Sequence, residues 1–150
     1  MTEQIDQLNT LLRLRKRDLE CCEQAVVGAR KHVSAAEMQQ GNAAAAHALA
    51  LSRCAKAMVE QAQTPCDPLV QLHCRAAKER ADAAQQLRAS ASAALAEARA
   101  MFDGLKREWL RAQARHDAIL KELENAVRQW KRRVSRRADD EVRPRPVALA

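Results

Sequence analysis

One apolar repeat with a seven-residue period runs through almost the whole chain and is interrupted once. Before the interruption, a frame that starts at Ile5 and Leu8 covers 17 positions, of which 13 are apolar. After it, a frame through Phe102 and Leu105 covers 20 positions, of which 16 are apolar. The overall apolar fraction of 47% would give about eight and nine. A frame kept over nine heptads is typical of long coiled-coil helices.

These a and d positions are called the seam below. In the first segment the seam comprises Ile5, Leu8, Leu12, Arg15, Leu19, Cys22, Val26, Ala29, Val33, Ala36, Gln40, Ala43, His47, Ala50, Cys54, Ala57 and Gln61. In the second it comprises Val70, Cys74, Ala77, Ala81, Ala84, Arg88, Ala91, Leu95, Ala98, Phe102, Leu105, Trp109, Ala112, His116, Ile119, Leu123, Ala126, Trp130, Arg133 and Arg137. We interpret Gln40, His47, Gln61 and Arg88 as residues that fix the register or face solvent.

The interruption is the segment Thr64-Pro65-Cys66-Asp67-Pro68. Because proline disfavours helical geometry in the residue before it, the first helix should end near Gln63. Asp67 then has the character of an N-cap, with Pro68 at the first helical position. The sequence therefore predicts helices over 3–63 and 69–138, joined by a turn over 64–68. A helical hairpin would occupy 1–142, and the proline-containing segment 143–150 would be a disordered tail.

The predicted fold is all-α, with two long helices forming an antiparallel coiled-coil hairpin. With 3 Gly, 4 Pro, one Phe, two Trp and no Tyr, the chain lacks the residues that a β-sandwich or an α/β enzyme needs. Residue numbers that face each other across the hairpin should sum to roughly 133, which places His47 near Gln86. Near the turn the seam is mostly alanine and buries little area, so this end should be the less stable one.

Sites for catalysis, metals and cofactors find almost no support in the sequence. The chain has no glycine-rich phosphate loop, no G-x-S-x-G and no H-E-x-x-H. Cys66, His73 and Cys74 match no standard zinc spacing, and Cys74 falls on the seam. We therefore predict a protein that is not an enzyme and that has no catalytic residues, no metal ligands and no cofactor.

The cysteines and the apolar stretches bear on localisation. An odd number of cysteines, five, without regular spacing argues against a disulfide framework and favours a reducing cytoplasm. The longest uncharged stretch, residues 38–52, is too short and too polar to span a bilayer. The sequence thus predicts a cytoplasmic protein with no transmembrane segment.

Charge is the more informative feature. The net charge is +7, and residues 69–137 hold 16 basic against 8 acidic residues. The excess is concentrated in the basic run, defined here as Lys131, Arg132, Arg133, Arg136 and Arg137. By the register above, this run lies beyond the start of the first helix and would stay uncovered. It has two interpretations: favourable placement of cations in a last helical turn, or an exposed tip that binds an acidic partner. A second basic group, Arg13, Arg15, Lys16 and Arg17, lies nearby.

Nucleic acid is the alternative acidic partner. A basic helical run is the electrostatic footprint that such binding requires. However, the sequence has no nucleic-acid fold signature, and both tryptophans lie on the seam, where they cannot stack on bases. We therefore disfavour nucleic acid. A membrane surface is disfavoured further, because the partner helix already uses the apolar stripe.

The helix from Phe102 to Arg137, followed by Ala138-Asp139-Asp140-Glu141, resembles the central-stalk proteins of type III secretion and flagellar export ATPases, the FliJ/YscO-like family. The likeness is architectural: an Ala-, Gln- and Arg-rich chain with two long helices and a basic C-terminal stretch. It implies a coiled coil similar to that of the rotary-ATPase gamma subunit.

The resemblance also implies a role. The end that carries both termini would insert into the pore of a hexameric secretion ATPase, and the turn end would reach toward the export gate protein at the inner membrane. Related proteins also handle export chaperones. We therefore expect a stalk that hydrolyses nothing, with the basic run as its ATPase contact. The alternatives are a nucleic-acid-binding coiled coil and a generic scaffold coiled coil.

Overall fold

The structure is a computed structural model that describes residues 1–143. Two helices, α1 (Thr2–Gln63) and α2 (Pro68–Val142), pack against each other as an antiparallel hairpin. No strand occurs between residues 1 and 143. The prediction of an all-α hairpin is confirmed. The predicted disordered tail, 143–150, lies outside the described residues except for Arg143.

The turn has the local chemistry that its sequence predicts. The Asp67 carboxylate accepts a hydrogen bond of 2.9 Å from the backbone N–H of Leu69, so Asp67 is the N-cap of α2. The side-chain amide of Gln71 donates to the carbonyl of Pro65 at 2.7 Å. The Asp67 N–H donates to the carbonyl of Thr64 at 3.3 Å. These bonds satisfy backbone groups that the two helix ends would otherwise leave unpaired.

The C-terminal end of α2 differs from the prediction. The helix continues four residues beyond the expected end at Ala138 and stops at Val142. Asp139, Asp140 and Glu141 contain no helix breaker, whereas Pro144 disfavours helical geometry in the residue before it. That residue, Arg143, forms a bend. Pro144, and not the acidic residues Asp139, Asp140 and Glu141, therefore sets the end of α2.

The seam is the face that the two helices bury. All 17 seam positions of α1 and 16 of the 20 seam positions of α2 are buried or partly buried. The exceptions are Arg88, Trp130, Arg133 and Arg137, which are exposed. Three of these are arginines, whose long charged side chains reach water from a seam backbone position. Trp130 faces the first residues of α1, where little of that helix remains to cover it.

The contacts between the helices follow the predicted register closely. The paired residues Gln40 and Ser92 have numbers that sum to 132, and the pair His47 and Arg88 sums to 135. The predicted sum was 133. The hydrogen-bond partner of His47 is Arg88, which lies two residues after the predicted neighbour Gln86.

The hairpin divides into two compact units. The turn unit is Ala25–Leu105, and the terminal unit is Met1–Gln24 with Lys106–Ala150, of which residues 106–143 are described. In the turn unit the tightest cluster is Ala57, Cys74 and Ala77, packed with Cys54. Leu95 is the one large aliphatic side chain that the described residues bury fully, with 3% of its surface exposed.

The terminal unit is packed around larger side chains that are less completely covered. Among its described residues, Ala112 and Ala126 are the only buried ones. Leu8, Leu19, Trp109, Ile119 and Leu123 are partly buried, and Trp130 is 38% exposed. Large side chains hold two helices further apart than alanines do, so more of their surface stays open to water.

Candidate partner-binding surface at the end of α2

The basic run lies on the last turns of α2 in the terminal unit. All five of its residues are helical, and every residue from 131 to 143 is exposed. The exposure that the sequence predicted for these side chains is therefore observed. No salt bridge among residues 1–143 involves the basic run. The ion pair nearest to the run in sequence joins Arg128 and Glu124 at 3.8 Å. The five charges are thus open to a partner.

The helix distributes these charges around its axis. At about 100° per residue, Lys131, Arg132, Arg136, Arg133 and Arg137 lie at roughly 0°, 100°, 140°, 200° and 240°. Four of the five charges, all arginines, therefore lie within an arc of about 140°, and Lys131 lies about 100° from the nearest of them. A flat acidic surface could contact the four arginines, whereas a partner that surrounds the helix would contact Lys131 as well.

An acidic band follows the basic run. Asp139, Asp140 and Glu141 are exposed and helical. Arg137, Asp140, Glu141 and Arg143 line a shallow depression of about 460 Å³ on this part of the helix. The centres of the two bands lie about six residues apart, which is roughly 9 Å along a helix. The end of α2 therefore presents a positive tier followed by a negative tier.

The second basic group lies on α1 in the same unit. Arg13, Lys16 and Arg17 are exposed. Arg15 occupies a seam position, and its guanidinium lies 3.6 Å from the carboxylate of Asp18. Its Nε is buried without a hydrogen-bond partner. Arg15 is thus mainly a packing residue, and the free cations of this group are the other three.

The residues considered for metal binding are not assembled into a site. Cys74 is 1% exposed within the alanine cluster, whereas Cys66 is exposed in the turn. His73 is exposed and faces a groove of about 370 Å³ together with Arg53, Lys56 and Arg80. Across residues 1–143, no group of three or more His, Cys, Asp or Glu side chains is arranged to hold a metal ion.

Three polar pairs cross the hairpin inside the turn unit, one of which is the exposed ion pair between Arg99 and Glu37 at 3.2 Å. Nδ1 of the buried His47 lies 3.3 Å from an Arg88 guanidinium nitrogen. Because arginine only donates, Nδ1 accepts in this hydrogen bond and the proton of the neutral ring is on Nε2. Gln40 donates to the hydroxyl of Ser92 at 3.5 Å. These contacts give the two polar seam residues a role in register.

Comparisons with known proteins add no relative. No protein-family model, no curated protein and no solved structure matches the chain. In the described part of the chain, neither helix contains an apolar stretch long enough to cross a lipid bilayer.

Proposed function

We propose that this protein is the non-catalytic central stalk of a type III secretion ATPase, acting in the cytoplasm at the inner-membrane secretion apparatus. The end of α2 inserts into the pore of the hexameric ring, and the hairpin couples the ATPase to the export gate protein. The observation that carries the proposal is the exposed basic run, in which four arginines lie within an arc of about 140° and Lys131 lies about 100° from the nearest of them.

The pore of a ring surrounds whatever occupies it, so its lining meets an inserted helix from all directions. The four arginines within an arc of about 140° would contact one part of an acidic lining, and Lys131 would contact another part of it. The antiparallel hairpin supports the same role, because a coiled coil can transmit a rotation or displacement along its length. The resemblance to export-ATPase stalks gives the partner class.

The basic run and the acidic band at the end of α2 make the proposal more specific. A pore that complements this helix presents an acidic ring to residues 131–137 and a basic or polar ring to residues 139–141. Electrostatic complementarity of this kind fixes register and excludes wrong partners more than it adds affinity. The depth to which the helix inserts would therefore be set by the change from positive to negative charge between Arg137 and Asp139.

The first test asks which proteins the full chain binds. In a pull-down from an extract of the source cells, with the tagged chain as bait, we expect mass spectrometry to identify a hexameric secretion ATPase. The purified pair should then show stimulated ATP hydrolysis. Reversal of the five residues of the basic run to Glu should weaken binding at least tenfold and abolish stimulation, while helicity by circular dichroism stays unchanged.

A matched control separates this site from net charge. It reverses five exposed basic residues of the turn unit and changes the net charge by the same amount: Arg30, Lys31, Arg53, Lys56 and Arg80. We expect this variant to bind and stimulate like the unmodified protein. Equal losses in both variants would mean that only overall charge matters, and full activity of the basic-run variant would refute the assignment.

The nucleic-acid alternative has its own readout. A phosphate-binding helix would retain DNA or RNA at low salt and release it steeply as salt is raised. We expect no retention of either in a gel-shift assay, because the exposed acidic residues Asp139, Asp140 and Glu141 directly follow the run and would repel a phosphate backbone. Salt-dependent retention that the five reversals abolish would replace the stalk proposal with the nucleic-acid one.

A further inference from the structure

A second apolar face lies on α1 in the turn unit, separate from the seam. Ala44, Ala48, Leu51, Ala55, Met58 and Ala62 follow one another at spacings of four and three residues. This is the spacing of a coiled-coil seam. Leu51 and Met58 are each 50% exposed, and the neighbouring Val59 is 57% exposed. These side chains flank the contact with α2 and are left uncovered on one side.

The face itself holds no charged residue. It comprises Ala44, Ala45, Ala48, Leu51, Ser52, Ala55, Met58, Val59 and Ala62. Lys56 and Glu60 border it beside Ala55 and Val59, and with Arg53 they also line the groove that α1 forms with α2 on the other side of the hairpin. A helix that is apolar on two adjacent faces suits a bundle of more than two helices, in which each face has a partner.

We propose that this face binds a second copy of the same chain, with the two α1 helices antiparallel about a two-fold axis near residue 53. About an axis at residue 53, the numbers of two facing residues sum to 106. The layers are therefore Ala48 with Met58, Ala55 with Leu51, and Ala62 with Ala44 of the second copy. Each large side chain thus meets an alanine.

The parallel arrangement fits less well. It would place Leu51 against Leu51 and Met58 against Met58, in layers that alternate with pairs of alanines. The axes would then need to be close in one layer and distant in the next, which leaves gaps between the large pairs. The order of small and large residues is therefore self-complementary only in the antiparallel sense, which is the symmetry that a closed dimer requires.

Charge on α2 supports the same axis. The heptad e positions, each of which follows a d position of the seam, lie on the same side of the hairpin in both helices. Leu51 and Met58 are e positions of α1, and Lys78 is an e position of α2. A two-fold axis on this side therefore also brings the α2 helices of the two copies together. The observed register places residue 53 of α1 opposite residues 78 to 82 of α2. Asp82 of each copy then faces Arg75 and Lys78 of the other. All three side chains are exposed.

The size of this interface predicts its strength. Nine residues of α1 and a few of α2 are fewer than the roughly 20 to 30 that a standard interface takes from each partner. We therefore expect a reversible dimer with a dissociation constant of about 1–100 µM. The inference uses only the turn unit and does not depend on the proposed ATPase partner.

Sedimentation velocity of the full chain between about 1 and 300 µM tests this directly, since the range brackets the expected dissociation constant. We expect a concentration-dependent shift from monomer to dimer. Leu51→Glu should weaken the dimer at least tenfold, because each substitution acts twice across the axis. The matched control is Leu49→Glu on the same helix: Leu49 is 53% exposed but lines the groove on the other side. It should dimerise like the unmodified protein.

A charge-exchange pair keeps the test independent of apolar packing. Asp82→Lys should weaken the dimer, and adding Lys78→Asp should restore part of the loss, because the opposite charges face each other again in the exchanged order. A chain that stays monomeric at 300 µM overturns the proposal and leaves the face to a helix of a different protein. A dimer that Leu49→Glu disrupts and Leu51→Glu does not disrupt overturns it as well.

Discussion

The turn unit and the terminal unit bury the same seam in different ways. In the turn unit the seam is mostly alanine, and Ala57, Cys74 and Ala77 are almost completely removed from water. In the terminal unit Trp109 and Leu123 are only partly buried. A fully buried alanine removes little apolar area, whereas a partly buried tryptophan removes much more. The turn unit therefore has the more completely buried side chains, whereas each large side chain of the terminal unit contributes more free energy.

The largest effect that distinguishes the units should come from leucine truncation. Leu95 in the turn unit is 3% exposed and Leu123 in the terminal unit is partly buried. We expect Leu95→Ala to lower the free energy of unfolding by about 2–4 kcal/mol and Leu123→Ala by about 1–2 kcal/mol, because a cavity adds to the cost only where the side chain is enclosed.

Urea denaturation followed by circular dichroism at 222 nm measures both variants. An equal cost at the two positions would show that side-chain size alone governs stability. The comparison of the units by burial would then fail.

Enlargement of a seam alanine should have the next largest effect. Ala57 is 1% exposed against Cys74 and Ala77, so Ala57→Leu has no space and should cost about 1–3 kcal/mol. Ala83 is exposed on α2 of the same unit, and Ala83→Leu should change the free energy of unfolding by less than about 0.5 kcal/mol. A stabilising Ala57→Leu in the same urea assay would show that the two helices separate readily at this layer, contrary to the close packing described above.

The smallest expected effect is a difference between two probes of unfolding. Both tryptophans, Trp109 and Trp130, belong to the terminal unit, so their fluorescence reports that unit, whereas circular dichroism reports both helices. If the alanine seam is the weaker one, the fluorescence midpoint in urea should be higher than the dichroism midpoint. A gap of about 0.5 M corresponds to roughly 1 kcal/mol. Coincident midpoints would indicate that both units unfold in one cooperative transition, contrary to a separately weaker alanine seam.

The second apolar face of α1 could not be recognised from the seam repeat alone. The seam frame accounted for the apolar residues of α1 that contact α2, and it left Leu51, Met58 and Val59 without an assignment. Their spacing from Ala44 to Ala62 was visible in the sequence. It acquires meaning only when the structure shows that α2 leaves these side chains half exposed.

The two helices, their single turn and the seam could be predicted from the order of the amino acids, because heptad spacing and proline are local properties of the chain. The same holds for the charge at the end of α2. The packed hairpin was needed to show which seam residues are enclosed, that His47 bonds to Arg88, and which apolar side chains remain open. Those outcomes depend on how closely two helices approach, and that distance is set by side chains of both helices together.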